Sequence, residues 1–189
     1  AALALAIVIA LPLGMLAALR RRHLDGAAVS ALAQAGMAVP AFWAGILLSL
    51  LFGVTLRVLP PNGYVDFRTS PVEWARHLVL PVCSLALVQS AVLIRYVRSA
   101  FVEVLGEDFY RTARAVGWRQ GPAMLRHGLR NASLSLVTVI GLQLASVLVG
   151  AVVIEQVFVL PGLGALLVRY ALNKDVMVIE GVVMLLVVL

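Results

Sequence analysis

Charge is scarce in this chain. Only 13% of its 189 residues are Asp, Glu, Lys or Arg, against about 25% in an ordinary soluble domain. With a mean hydropathy of +1.03, the length would suit one domain, but the composition does not suit a globule in water; lipid as solvent explains it better. Cysteine is almost absent. Cys83 is the single thiol, which excludes an intrachain disulfide and fits a small packing residue better than a ligand or nucleophile. The three histidines, His23, His77 and His127, are scattered. No set of acids and histidines is spaced for a metal, so no metal site is expected. No Ser/His/Asp arrangement stands in the apolar runs, so no intramembrane hydrolase and no catalytic role are expected. There is no phosphate-binding glycine loop either: "PGLG" lacks the lysine and the spacing. No internal repeat is present.

What the chain has in quantity is apolar sequence. Five segments stand out: 1–19, 27–56, 78–94, 132–154 and 176–189. Each is weighed against the ~20 residues of a helical span. The second is long for one span and is divided by Pro40, with Ser30 and Gln34 one turn apart in its first part. Pro12, Pro40 and Pro81 fall in or beside these segments; within a bundle in lipid they are tolerated as kinks. An all-α integral membrane protein with about five spans is the expected fold class. Ala1 lies already in apolar sequence with no initiator methionine or basic stretch before it, and Leu189 ends inside an apolar run. The expectation is a fragment, its first run a span rather than a signal peptide.

The net charge of +6 does not point to nucleic acid, because the cations sit at the ends of apolar runs. They give a topology instead. Arg20, Arg21 and Arg22 follow the first span, and Arg95, Arg98, Arg111, Arg114, Arg119, Arg126 and Arg130 lie between the third and fourth. Arg57, Arg68, Arg76, Arg169 and Lys174 occupy the other connections. That is ten against five, and it places 20–26 and 95–130 in the cytoplasm and 58–74 and 155–175 outside. The stretch 58–74, with Pro-Pro, Asn-Gly and Ser-Pro, reads as a loop.

The inner connection 95–130 is far longer than a plain connector needs. Phe101, Val104, Leu105 and Phe109 predict one apolar helix face, Glu103 and Glu107 a polar one, and Gly106 a possible break. Thr112, Ala113 and Ala115 are small, Gly117 can end the helix, and Gly121-Pro122 should stop any continuation. Such a segment fits docking of a cytoplasmic protein or contact with anionic lipid. Within the spans, Gln89 and Gln143 are candidates for a pathway wall or an interhelical hydrogen bond. The small-residue pairs Gly141/Ala145 and Ser146/Gly150 suggest close packing.

Here a resemblance becomes specific. The run "RYVRSAFVEVLGEDFYRTARAVG" resembles the inner loop of binding-protein-dependent ABC transporter permeases, in the branch that imports dipeptides, oligopeptides or nickel. Asp108, Phe109, Tyr110, Arg111, Thr112, Ala113, Arg114, Ala115 and Gly117 carry it, and "LRHGLRNA" at 125–132 continues it. Ala113 and Gly117 match the second alanine and the glycine of the broader family's E-A-A-x-x-x-G loop. Val116 stands where the branch usually has lysine, and Ser133 and Ser135 replace the usual leucine and proline. "VPAFWAGILLSLLF" at 39–52, "LPPNGY" at 59–64 and "EQVFVLPGLGALLVRYALNKD" at 155–175 are similar to segments of the same permeases, in the same order.

The resemblance implies one permease domain over 1–189 with the ABC type I importer fold, and sequence missing at both ends. It implies no directly bound cofactor, with ATP used by two cytoplasmic ATPase subunits. It further implies a second homologous permease subunit, making a heterodimer, and an external solute-binding protein. Glu107, Asp108, Arg111, Thr112, Ala113, Arg114, Ala115 and Gly117 would form the coupling helix that docks on an ATPase. Glu155, Phe158, Pro161, Gly162 and Gly164 would line the outer mouth, or form a hairpin that packs the bundle. Peptides are the expected cargo, with nickel or another small solute as alternative; a passive channel or scaffold would need no docking helix.

Overall fold

The computed structural model describes residues 1–188. Among them every regular element is a helix. In chain order these are α1 (Ala2–Leu19), α2 (Leu24–Met37), α3 (Ala41–Leu48), α4 (Pro71–Val104), α5 (Asp108–Ala115), α6 (Gln120–Ala123), α7 (Leu129–Phe158), α8 (Leu163–Leu172) and α9 (Val176–Val188). A π-helical segment continues α3 over Ser49–Thr55, and another joins α6 to α7 over Met124–Gly128.

Three helical runs are long and apolar enough to cross a membrane: Ala2–Leu19, Pro71–Val104 and Gln120–Phe158. A fourth is possible if α2 and the α3 run count together. The expected five spans are therefore not all single helices. The second is broken at Ala38–Pro40, because proline disfavours helical backbone at the residue before it, Val39. The fifth segment is a 13-residue helix, ~20 Å long against a hydrocarbon core of ~30 Å; Leu189, its expected last residue, lies outside the described residues.

The third span is longer than the apolar count predicts. α4 has 34 residues, ~51 Å at helical rise. Its start explains part of the excess. "SPVE" reads as a turn by composition, yet Ser70 is an N-cap whose hydroxyl accepts from the Glu73 N–H at 3.3 Å, with Pro71 in the first helical position. Asp66 folds the approach, accepting from the Arg68 N–H at 2.8 Å. The Gly121-Pro122 pair also departs from expectation. It opens α6 instead of stopping a helix, since proline in a first turn forfeits no intrahelical hydrogen bond.

The chain forms two compact units, one of residues 1–39 and 86–144, the other of 40–85 and from 145 onward. In the first unit, Ala2, Ala6, Ala10, Gly14 and Ala18 recur every fourth residue on α1 and are buried. The row lets backbones approach: a Cβ on Gly14 would stand 3.1 Å from the Ile94 carbonyl and closer still to Val97. Ala6 and Ala10 pack with Ala33, Leu93 and Ile94. A second cluster joins Ala18, Val97, Phe101, Val104, Tyr110, Met124 and Leu136.

In the second unit, Gly45 of α3 lies against Phe158 and Ile154 of α7. The π segment meets the outer loop, where Ser49 donates to the Pro61 carbonyl at 2.7 Å and a Cβ on Gly53 would strike Pro61 Cα. Gly63, at φ +94°, donates its N–H to the Phe158 carbonyl at 2.9 Å. The stretch 45–53, the outer loop at 61–63 and the end of α7 at 154–158 thus meet in one place.

Candidate functional site

The charged loop contains two structured pieces. α4 ends at Val104, a turn follows through Gly106, and α5 begins at Asp108, so the break expected at Gly106 is present. That break resets the helical phase. Phe101 and Val104 are buried as expected, but Phe109 is 36% exposed, and Tyr110 takes the inward position at 4%. The expected single apolar face does not continue through Phe109. A helix read as restarting at Asp108 would have shown Tyr110 and Ala113 on one face, three residues apart.

Eight residues make a helix too short to persist in water alone. Tertiary contact holds it. Tyr110 enters the cluster with Phe101, Val104 and Met124, and Ala113 and Trp118 pack at its margin. The Tyr110 hydroxyl donates to the Gln120 carbonyl at 3.4 Å, and burial raises the phenol above its ordinary value, with the Arg114 charge opposing. The ends are finished locally. Asp108 in the first turn and Arg114 in the last complement the helix dipole. Glu107 is the N-cap by backbone position and makes no side-chain cap. Thr112 Oγ1 donates to the Asp108 carbonyl at 2.9 Å. Gly117, at φ +100°, lets the Trp118 N–H reach back to the Ala113 carbonyl at 3.1 Å.

What remains outward is specific. Arg111, Thr112, Arg114, Ala115, Val116 and Gly117 are exposed, as are Glu107 and Asp108. Arg111 and Asp108 approach to 3.6 Å with both side chains mostly in solvent, a pair worth little to stability. Ala113 is placed differently from the other docking candidates: it leans on the chain's own cluster. Trp118 stacks edge-on with His127, ring centroids 5.4 Å apart, and the Arg126 guanidinium lies 5.4 Å from the Trp118 ring centre. Sequence reasoning assigned no role to Tyr110 packing, Trp118 or Gln120.

The glutamines resolve simply. Gln143 Nε2 donates to Gln89 Oε1 at 2.6 Å, and Gln89 is buried. The pair forms an interhelical hydrogen bond between α4 and α7.

The outer candidates form a clasp. Glu155 to Phe158 are the last turn of α7. α7 ends with Val159 at φ +55° and the Leu160 N–H bonded to the Glu155 carbonyl at 2.9 Å. The chain then reverses through exposed Pro161, with Gly162 as the N-cap of α8. The Glu155 carboxylate accepts from the Ala165 N–H at 2.9 Å, supplying the cap that glycine cannot. A Cβ on Gly162 would fall on that carboxylate, and one on Gly164 would lie 2.5 Å from Val152 Cα. Phe158 is 1% exposed. Both glycines are therefore explained by close approach, and Glu155 by capping.

Residues 10–189 match the family described as binding-protein-dependent transport system inner membrane component. A Brucella abortus (strain 2308) protein, provisionally named a peptide transport system permease protein, is 42% identical over 185 residues, 98% of this chain and 59% of its own length. The oligopeptide transport system permease protein AppB of Bacillus subtilis (strain 168) is 38% identical over 177 residues, 93% of this chain and 56% of its own. The glutathione transport system permease protein GsiC of Pectobacterium atrosepticum is 39% identical over 183 residues, 97% of this chain and 57% of its own. The chain thus spans somewhat over half the length of the curated relatives it matches.

Proposed function

Because the chain belongs to the family of binding-protein-dependent transport system inner membrane components, a family of multi-pass membrane transport proteins, we infer that it serves as the permease subunit of an ATP-driven peptide importer. Peptide cargo is the reading that the relatives' names favour: peptide, oligopeptide and glutathione transport. The observation that carries the mechanism is α5, a short helix anchored by Tyr110 and Ala113 with its charged face outward. A partner ATPase docks on Arg111, Thr112, Arg114, Ala115 and Gly117, with Glu107 and Asp108 at the entry. Ala113 contributes by seating the helix rather than by contact.

The packing supports a lever. A push on α5 passes through Tyr110 to Phe101 and Val104 at the end of α4 and to Met124 at the root of α7. Packed elements move as rigid bodies where a slack loop would absorb the displacement. No energy source is assigned to this chain; two cytoplasmic ATPases supply it, a second permease subunit completes the pathway, and an external binding protein delivers the cargo. ATP is bound by the ATPases, with no cofactor held here. The arginine distribution puts α5 in the cytoplasm and 58–74 outside.

The test uses the full-length gene with its ATPase subunits. A single cysteine replaces exposed Ala115 in a Cys83→Ser background, and crosslinking to the ATPases is followed with and without ATP. A crosslink whose yield changes with ATP is expected. No crosslink from a cysteine shown to react with a soluble thiol reagent would overturn the docking role.

A further inference from the structure

We propose that the groove at the root of α7 binds the headgroup of an anionic phospholipid, whose acyl chain lies along the exposed face of the same helix. The groove is about 490 Å³ and is lined by Phe109, Arg126, His127, Arg130 and Asn131. Arg126 lies over the Trp118 ring, and among the described residues no carboxylate lies within 4 Å of the Arg126 or Arg130 guanidinium. Two guanidiniums one helical turn apart, beside an imidazole and an amide, fit a phosphate oxygen cluster. An adjoining cavity lined by Glu103 and Glu107 shares Phe109 and Asn131 with the groove but neither arginine.

The occupant follows from what lies next along the helix. From Arg130, the positions at helical spacing are Leu134, Val137, Gly141 and Leu144. Leu134 is 81% exposed, Val137 67% and Leu144 45%, and a Cβ on Gly141 would meet nothing within 4 Å. One face therefore changes from cationic to apolar and stays apolar from Leu134 to Leu144, ~15 Å at 1.5 Å per residue, about one leaflet's half of the ~30 Å hydrocarbon core. A soluble phosphate would use the arginines and leave this stripe idle. A membrane-borne phosphate uses both, and basic residues at a leaflet surface attract anionic lipid.

The assembled transporter, otherwise free of cysteine and carrying Cys83→Ser, is labelled with a fluorophore at Ser133→Cys and reconstituted in bilayers. Quenching by bromine-labelled phosphatidylglycerol is compared with quenching by bromine-labelled phosphatidylcholine. A preference of about fivefold or more for the anionic lipid is expected, given two arginines at the surface. It should fall to parity in Arg126→Gln/Arg130→Gln, while quenching by phosphatidylcholine stays unchanged and shows the helix still inserted. Arg126→Lys should retain most of the preference. Equal quenching by both lipids in the parent, or a preference that survives in the double variant, would overturn the proposal. So would its abolition by millimolar inorganic phosphate at constant ionic strength, which would identify a free anion. A preference seen in the isolated subunit and lost on assembly with the ATPases would identify a protein surface instead.

Discussion

Gly117 and Gly164 both stand in glycine-bearing motifs, and they are there for opposite reasons. Gly117 closes α5 at φ +100° and has nothing within 4 Å of where a Cβ would stand. Its need is conformational. Gly164 has no positive φ, and a Cβ there would lie 2.5 Å from the backbone of Val152. Its need is space. The same contrast separates the two regions. α5 is an exposed helix held by one aromatic anchor and finished at its ends, which suits a surface for a partner. The Glu155–Gly164 clasp is held by backbone proximity and a half-buried cap, which suits a fixed corner. Four measurements would break or sharpen that contrast.

The largest effect is expected from Tyr110→Ala. Removing a buried aromatic from the cluster with Phe101, Val104 and Met124 should cost about 3 kcal/mol or more. Because α5 is too short to persist alone, the helix itself should be released. Trypsin cleavage at Arg111 and Arg114 should then accelerate by orders of magnitude in the otherwise intact subunit. Tyr110→Phe should behave as the parent, since it loses only a 3.4 Å hydrogen bond. Fast cleavage in the parent itself would mean that the anchor does not hold.

Next is Gly164→Ala. The neighbouring atom is main chain and cannot swing aside, so overpacking of roughly 1–3 kcal/mol is expected, read as a lowered midpoint in a thermal unfolding scan of the purified subunit. An unchanged midpoint would show that α8 can move off Val152 freely, and that the clasp is not a fixed corner.

The third measurement is a double-mutant cycle on Glu155 and Gly162. Glu155→Ala removes the cap on Ala165 and should cost about 1 kcal/mol. Gly162→Ala pushes the same carboxylate away and should cost a similar amount. Once Glu155 is alanine, the added methyl meets no carboxylate. The two costs should therefore not add, with a coupling of about 0.5 kcal/mol or more. Simple additivity would separate the two residues.

These cases also show what was legible from residues alone. The all-helical membrane class, the break at Gly106 and the stop at Gly117 follow from hydropathy and glycine chemistry, which are local. The first turn of a helix was not. Ser70-Pro71 and Gly121-Pro122 have turn composition, yet both open helices, because serine, glycine and proline serve a loop and an N-terminus by the same physics. Tyr110 was hidden by phase: counting from Phe101 through a break points to Phe109. The every-fourth small row on α1 was visible but carries meaning only once Val97 and Ile94 are known to lie against it. Glu155 stands in the segment that the resemblance assigns to the outer mouth, and its partner, a single N–H ten residues on, is fixed only by the reversal at Pro161. Gln89 and Gln143, 54 positions apart, could be named as a hydrogen-bond candidate each, but not as a pair.

The smallest stability effect, and the most informative about function, belongs to Gly117. Gly117→Ala keeps the space but opposes the left-handed backbone, a cost of about 1 kcal/mol. Gly117→Asn should cost less, because asparagine tolerates that conformation. If α5 matters only as a packed element, both variants should support the proposed peptide import at rates near the parent. If its end must present a small, sharply turned surface to an ATPase, the order should invert. Asparagine, the better folded, would obstruct the approach with a larger side chain, and alanine, the more strained, would obstruct it less. Thermal midpoints ranked glycine, asparagine, alanine beside uptake ranked glycine, alanine, asparagine would separate docking from folding at one residue. Identical rankings in both assays would leave Gly117 as a helix terminator alone.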